Sequence, residues 1–386
     1  MKKRIWFCLL MLIMTVLLVS CNESDVPSRA EKTPESTNVE MVCENGQIVV
    51  RGSFNNQSLT CQEYTVSCSV VRDGNAEKPL VLAKDFKLVQ GENSFEMKLK
   101  IGAKQQSVSV SVTTEDGQEL CTPFEKSFKS LKILSIGNSF SVDAQQWLYG
   151  IAKDAGYDNV VLGNLYFGGC SLERHRRYFE DNATSYTYYK NTTGEWTEKN
   201  DASMIDAIVD EDWDYITLQQ ASGLSGLSES YEPHLSRIIN YVKLNKTNPN
   251  AELVWHMTWA YSSDSTHQDY VNYDNDQMKM YESIVNATEE NVLTNPDISF
   301  VIPAGTAIQN ARNSSLGDTL CRDGFHLDLN YGRYLAGLTW FHKITGLPID
   351  DIGYIPEGAF DEECLEVLKE CAKNAVENPY SVTVSR

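Results

Sequence analysis

The chain has 386 residues, 42% hydrophobic and 22% charged, and its 53 acidic against 33 basic side chains leave a formal net charge of −20. That composition is globular and excludes wholesale disorder, a collagen-like repeat and a multi-span membrane protein. So acidic a surface repels phosphate backbones and anionic headgroups, and no nucleic-acid partner is expected.

The chain opens with Lys2-Lys3-Arg4 and an apolar run from Ile5 to Val19, the pattern of a secretory signal over residues 1–20. The run is shorter than the ~20 residues a spanning helix needs. Leu18-Val19-Ser20-Cys21 resembles a bacterial lipobox, which implies a lipid on Cys21 and membrane attachment through that lipid alone. The expected location is the cell envelope, on the outer membrane, with Glu23 and Asp25 hinting at surface export. Residues 21–39 are Ser-, Glu-, Pro-, Thr- and Asn-rich and read as a flexible tether. Beyond Cys8 and Cys21 the cysteines are Cys43, Cys61, Cys68, Cys121, Cys170, Cys321, Cys364 and Cys371. An oxidising envelope permits disulfides among them, and the lack of a Cys-x-x-Cys pair or His-rich cluster argues against structural zinc.

Residues 40–130 carry a period of two. Gln47–Gly52, Tyr64–Val71, Ser94–Ile101 and Ser107–Val112 are alternating or β-branched runs, with turn residues such as Asp73-Gly74-Asn75 between some of them. Short alternating strands of this kind predict an all-β, immunoglobulin-like sandwich. The segment holds no cluster that points to chemistry and reads as a spacer. A carbohydrate-binding module is the alternative, although the segment has no Trp and Tyr64 is its one Tyr.

From residue 131 to 386 the pattern changes. Short apolar strands are predicted at Ile133–Ile136, Asn159–Leu162, Tyr215–Leu218, Leu253–Met257 and Ile298–Ile302, with helices near 143–155, 201–211, 232–246, 268–292, 331–345 and 361–376. Alternating strands and helices imply a parallel sheet with helices on both faces, a three-layer α/β/α arrangement. Ligands of such sheets bind at the carboxyl ends of the strands.

The first strand ends in Gly137-Asn138-Ser139-Phe140. Ser139 suits a helix N-cap, and it equally suits a nucleophile whose oxyanion meets free N–H groups of the new helix. Asp323-Gly324-Phe325-His326 lies far downstream. An Asp three residues before a His can fix the imidazole tautomer and stabilise the imidazolium, or simply cap a turn. Gly168-Gly169-Cys170-Ser171 follows the second strand.

Taken together, these three blocks over Lys132 to Phe341 resemble the SGNH/GDSL hydrolase superfamily, in a lipoprotein-rich, carbohydrate-esterase-like branch. The resemblance implies an SGNH/flavodoxin-like sheet with Ser139 as nucleophile, His326 as base and Asp323 as its orienter. It also implies an oxyanion hole lined by the N–H groups of Ser139 and Gly169, and no metal or cofactor. The family's third block supplies an Asn amide to that hole. Here the third strand leads into Gln219-Gln220, so Gln219 is the expected donor and Gln220 the reserve, with a place in substrate binding. Trp259 and His175 are expected near substrate, though His175 also reads as an exposed helical residue. His256 and Trp255 read as rim or core, and His342 as structural. Cys170 and Cys321, close to the proposed loops, are a possible disulfide; Cys364 and Cys371 lie too far apart along one helix to pair.

The implied activity is serine esterase chemistry on an acylated glycan or other small ester, through an acyl-enzyme. The alternatives are a non-catalytic glycan-binding scaffold on the same fold and a glycan O-acyltransferase. Oligomeric state is not legible.

Overall fold

A computed structural model describes residues 37–56, 62–72, 80–102, 104–114, 119 and 123–383. The expected signal, the expected lipidation site Cys21 and most of the expected tether lie outside the described residues, as do Cys61 and Cys121.

The N-terminal region is rich in strands: β1 (Thr37–Glu44), β2 (Gln47–Asn56), β3 (Gln62–Arg72), β4 (Leu80–Leu88), β5 (Gly91–Lys100) and β6 (Gln105–Thr114). One sheet has the order β1-β2-β5, all antiparallel. In the other, β3 lies between β4 and β6. Both sheets give side chains to one apolar core: Ile48, Val50, Phe95 and Leu99 from the first, Val66, Cys68, Val108 and Val110 from the second. The alternation along β5 follows from this, since Phe95, Met97 and Leu99 turn inward while Glu96 and Lys98 face water.

Strand β7 (Phe124–Gly137) joins the two parts of the molecule. Its first residues pair antiparallel with β6, and Ser130–Gly137 then pair in parallel with β8 (Asn159–Tyr166). Residues 133–136 also pair in parallel with β11 (Tyr215–Leu218). The boundary read near residue 130 therefore falls inside a continuous strand, with a separate apolar core on either side of it. The buried Asp214 carboxylate ties the two parts, accepting the N–H groups of Lys104 (3.1 Å) and Lys132 (2.8 Å).

The C-terminal region is mixed α/β. Its remaining strands are β9 (Tyr186–Asn191), β10 (Trp196–Ala202), β12 (Glu252–His256) and β13 (Ile298–Ile302), and the sheet order is β10-β9-β8-β7-β11-β12-β13. Strands β8, β7, β11, β12 and β13 are parallel; β9 and β10 extend the sheet as an antiparallel hairpin. In chain order the parallel strands run 2-1-3-4-5, so the order reverses at β7, and the crevice beyond its carboxyl end is the place for a ligand. Residues 130–137 are all buried, as expected of a central strand covered on both faces.

Helices α1 (Ser139–Gln145), α2 (Leu148–Asp154), α7 (Ala304–Arg312), α8 (Tyr331–Thr345) and α9 (Glu362–Glu377) pack together as one set. Helices α3 (Leu172–Glu180), α4 (Met204–Asp210) and α5 (His234–Asn245) form another, and α6 (Gln277–Asn291) borders α7. The single helix read over 143–155 is two helices, α1 and α2, with Gln146 and Trp147 between them.

Candidate active site

Three strand ends and one long loop build the site. At the end of β7, Gly137 is required by space, because a β-carbon there would meet Ser141 Oγ at 2.5 Å. The cap of α1 is Asn138, not Ser139. Its backbone is extended, and its Oδ1 accepts the N–H of Phe140 at 3.0 Å. Ser139 thus sits in the first turn of the helix with its hydroxyl uncommitted to capping.

The Ser139 hydroxyl meets His326. The Oγ–Nε2 distance is 2.8 Å, and His326 Nδ1 lies 2.7 Å from Asp323 Oδ2. Asp323 Oδ1 accepts the N–H groups of His326 (2.8 Å) and Phe325 (3.3 Å). Burial pushes the Asp323 carboxyl up, but its bonds to His326 outweigh that and hold it below the usual carboxylate range. An ionised Asp323 accepts a hydrogen bond from Nδ1–H, which leaves the Nε2 lone pair facing the serine hydroxyl. Gly324, at φ +87°, lets the loop double back so that both Asp323 oxygens reach the His326 backbone and ring.

The loop is held from below. Ser262 N–H donates to Gly324 O (2.9 Å), and Trp259 Nε1 donates to Phe325 O (2.8 Å) while its ring stacks on Phe140 at 4.2 Å. The N–H of Leu327, next to the imidazole in sequence, donates to Asp143 Oδ2 (2.8 Å). Asp143 is 1% exposed and receives Arg333 Nε (2.8 Å) and Nη2 (2.7 Å), with Arg322 Nη1 at 3.3 Å. It lies one helical turn after Ser139, so α1 carries both the serine and the carboxylate that anchors the histidine loop. The sequence reading missed Asp143, since an acidic residue in a short helix carries no signal of an arginine 190 positions away.

The turn after β8 supplies the third wall. Gly169 has φ +58° and is exposed, and Asn138 Nδ2 donates to Cys170 O at 3.1 Å, clamping this turn beside Ser139. The backbone N–H groups of Ser139 and Gly169 donate to no acceptor among the described residues.

Other expected residues stand elsewhere. Gln219 is 1% exposed; its Nε2 donates to Asn138 Oδ1 (2.8 Å) and its Oε1 accepts from His256 Nδ1 (2.9 Å). Its amide braces Asn138 from beneath rather than facing an oxyanion. Gln220 is likewise buried, with Oε1 accepting Leu172 N–H (3.0 Å) and Ala221 N–H (2.8 Å) and Nε2 donating to Ser230. It ties the start of α3 to the turn after β11 and is closed off from solvent. Trp259 is fully buried and supports the loop instead of lining a rim. His175 is 1% exposed, bonded to the Tyr186 hydroxyl at 2.9 Å, and burial holds its pKa at about 3. It is neither a surface histidine nor a substrate contact. His256 is also buried with its pKa held at about 3. Cys170 and Cys321 are both free thiols. Cys170 is buried beside Tyr186, whereas Cys321 receives Arg312 Nη2 at 3.6 Å, so the two sulfurs face different elements.

These features define a mixed α/β protein with a Ser–His–Asp array at the carboxyl edge of a parallel sheet. The chain belongs to the family described as Domain of unknown function (DUF4886), which it matches over residues 132–375. A DUF4886 family protein from Bacteroides uniformis ATCC 8492 is 43% identical, covering 66% of this chain and 98% of its own, with a TM-score of 0.64. A carbohydrate acetylesterase from Xanthomonas citri is similar at 8% identity and TM-score 0.33, over 80% of this chain and 73% of its own. An alpha/beta hydrolase from the metagenome of Lake Arreo, Spain, is similar at 9% identity and TM-score 0.33, over 56% of this chain and 94% of its own. No curated protein matches the chain.

Proposed function

We propose that this protein is a serine ester hydrolase of the SGNH type, acting through an acyl-enzyme on acylated glycans at the cell envelope. The observation that carries the reading is the contact of Ser139 Oγ with His326 Nε2 at 2.8 Å, with Asp323 2.7 Å from the other ring nitrogen. Ser139 Oγ attacks the ester carbonyl as His326 Nε2 takes its proton, and Asp323 stabilises the resulting imidazolium. The Ser139 and Gly169 N–H groups receive the oxyanion. Collapse of the tetrahedral intermediate breaks the ester C–O bond, and His326 returns the proton to the departing alcohol oxygen. Water, deprotonated by the same imidazole, then hydrolyses the acyl-serine and restores the hydroxyl.

With Gln219 used as a brace, the hole has two backbone donors in this reading. One such donor is worth about 10²–10³ in rate, so turnover is slower than in a site with a third. The 2-1-3-4-5 strand order supports the SGNH assignment, and the Leu18–Cys21 sequence supports lipid anchoring at Cys21 on the outer membrane. The test is hydrolysis of p-nitrophenyl acetate by wild type and Ser139→Ala, with fluorophosphonate labelling mapped by mass spectrometry. Turnover and an adduct on Ser139, both lost in the variant, support the reading. Equal rates in the two proteins, or an adduct elsewhere, overturn it.

A further inference from the structure

A pocket of about 250 Å³ is lined by Val142, Gln146, Asn164, Tyr189 and Trp196, the first of them one turn along α1 from Ser139. Val142 and Gln146 follow Ser139 by three and seven positions, so they continue the face of α1 on which the serine lies. Asn164, on β8, stands directly opposite Tyr189 on β9. Trp196 faces Asn191, two residues from Tyr189 on the same side of the sheet. The wall is therefore the antiparallel hairpin added to the parallel strands at β8.

That hairpin is held in place. Asn191 Oδ1 accepts the N–H of Gly194 (2.8 Å), and Tyr149 Oη donates to Thr192 O (3.4 Å), so its tip rests on α2. Two polar features then point to a ligand. Asn164 is 1% exposed; Ser141 Oγ reaches its Oδ1 at 3.0 Å, and its Nδ2 has no partner among the described residues. A buried amide left so is costly, by about 1–3 kcal/mol. Among the described residues, neither the Tyr189 hydroxyl nor the Trp196 indole N–H makes a hydrogen bond, so both remain available to a ligand.

We infer that this pocket is the subsite for the alcohol side of the ester, and that it takes one neutral, hydroxylated ring of the sugar class. The inference rests on the esterase reading. No lining residue is charged, which disfavours an anionic or cationic group. The volume lies below the roughly 300–1,000 Å³ of sites for drug-sized ligands, so it suits one ring rather than an oligosaccharide. A pyranose presents apolar C–H faces and a hydroxylated rim. Aromatic faces with polar tips match both features, and a hydroxyl, being donor and acceptor, satisfies the Asn164 amide whichever way that amide is turned. An aromatic acyl group would stack as well, but it would leave Asn164 unpaired.

Two measurements test this. In the first, kcat/KM is measured for a mono-O-acetylated methyl pyranoside and for ethyl acetate, which has no ring. Trp196→Ala should lower the ratio of the two by at least tenfold, chiefly through KM for the sugar ester, and Trp196→Phe should restore most of it. A ratio within twofold of wild type overturns the inference, and so does a larger effect on feruloyl or benzoyl esters of ethanol than on the sugar ester. The second is independent of turnover: saturation-transfer NMR of the unacetylated methyl pyranoside with Ser139→Ala protein. Signal at the ring protons that disappears on adding Trp196→Ala supports the subsite even if the esterase reading fails; no signal at millimolar sugar counts against it. Failure of the esterase reading shows separately, as inactivity toward every ester and no fluorophosphonate adduct.

Discussion

Replacing Asp143 by Asn is the sharpest test of how the site is held. The carboxylate is buried and accepts from the Leu327 N–H and from two arginines, Arg333 at 2.7–2.8 Å and Arg322 at 3.3 Å. Asparagine keeps the shape but loses the charge, and it turns one acceptor into a donor. Whichever way the amide is placed, an N–H then faces another N–H, at Leu327 or at Arg333. Breaking one side of a buried ion pair costs about 3–5 kcal/mol. The arginine side chains here are 32% and 16% exposed and can turn to water, so about 2–3 kcal/mol of stability is expected to go. The catalytic effect follows from Leu327 being the neighbour of His326. A displacement of the imidazole by about 1 Å costs on the order of 10² in rate, so kcat for p-nitrophenyl acetate should fall roughly 10- to 100-fold with little change in KM. Fluorophosphonate labelling of Ser139 should slow in parallel. Asp143 is a positioning residue, so the fall must appear at a temperature where circular dichroism shows the variant folded. A folded Asp143→Asn protein with kcat within twofold of wild type would refute the reasoning.

Asp323→Asn should keep the fold but present the wrong imidazole tautomer to Ser139, with kcat falling by about 10⁴; a loss under tenfold in a steady-state assay argues against its role as orienter. Because Asp323 is held below the usual carboxylate range, its own protonation should not shape the pH profile of kcat/KM near neutrality, and a limb that disappears in Asp323→Asn would contradict this. His175 and His256 are buried neutral with pKa values lowered from 6.5 to about 3. Between those values the unfolded chain binds the extra protons, so their contribution is full above pH 6.5 and is lost as pH falls. Each should cost about 1.4 kcal/mol per pH unit over that range. Thermal melts of His175→Gln between pH 7 and pH 5 should show a shallower decline than wild type, and an unchanged slope would contradict this. Burial pushes the thiols of Cys170 and Cys321 up, so iodoacetamide should label both only after denaturation; a Cys170–Cys321 cross-linked peptide would contradict the structure.

Part of the site was legible as a combination. Ser139 and Gly169 follow strands and Asp323–His326 lies on a loop far downstream; singly each reads as a cap or turn, and only their joint resemblance to a known family singles them out, while the structure brings the serine, histidine and aspartate into contact. The hairpin β9–β10 was not legible. In β10 only Ala202 is buried, so the strand has no apolar alternation, and its order comes from pairing with β9. Helix α7 was not legible either, and every residue from Ala304 to Arg312 is buried. In the N-terminal region β4 escaped notice because Leu80, Val81 and Leu82 lie exposed on an edge strand.

Local chemistry in the chain was enough to set the parallel strands, the turns after them and the residue types able to move a proton. Such features depend on near neighbours, and near neighbours are what a sequence displays. Which way a side chain turns at a strand end depends on what packs over it, and that is settled by residues far away. Gln219, Gln220, Trp259 and His175 all lie close to the turns as expected, yet each points inward to a buried partner. The pocket wall at Tyr189 and Trp196 and the Asp143 anchor exist only because distant segments meet. Position along the chain marked Ser139, Asp323 and His326 as candidates; tertiary packing decided which of their neighbours hold them and which line open space.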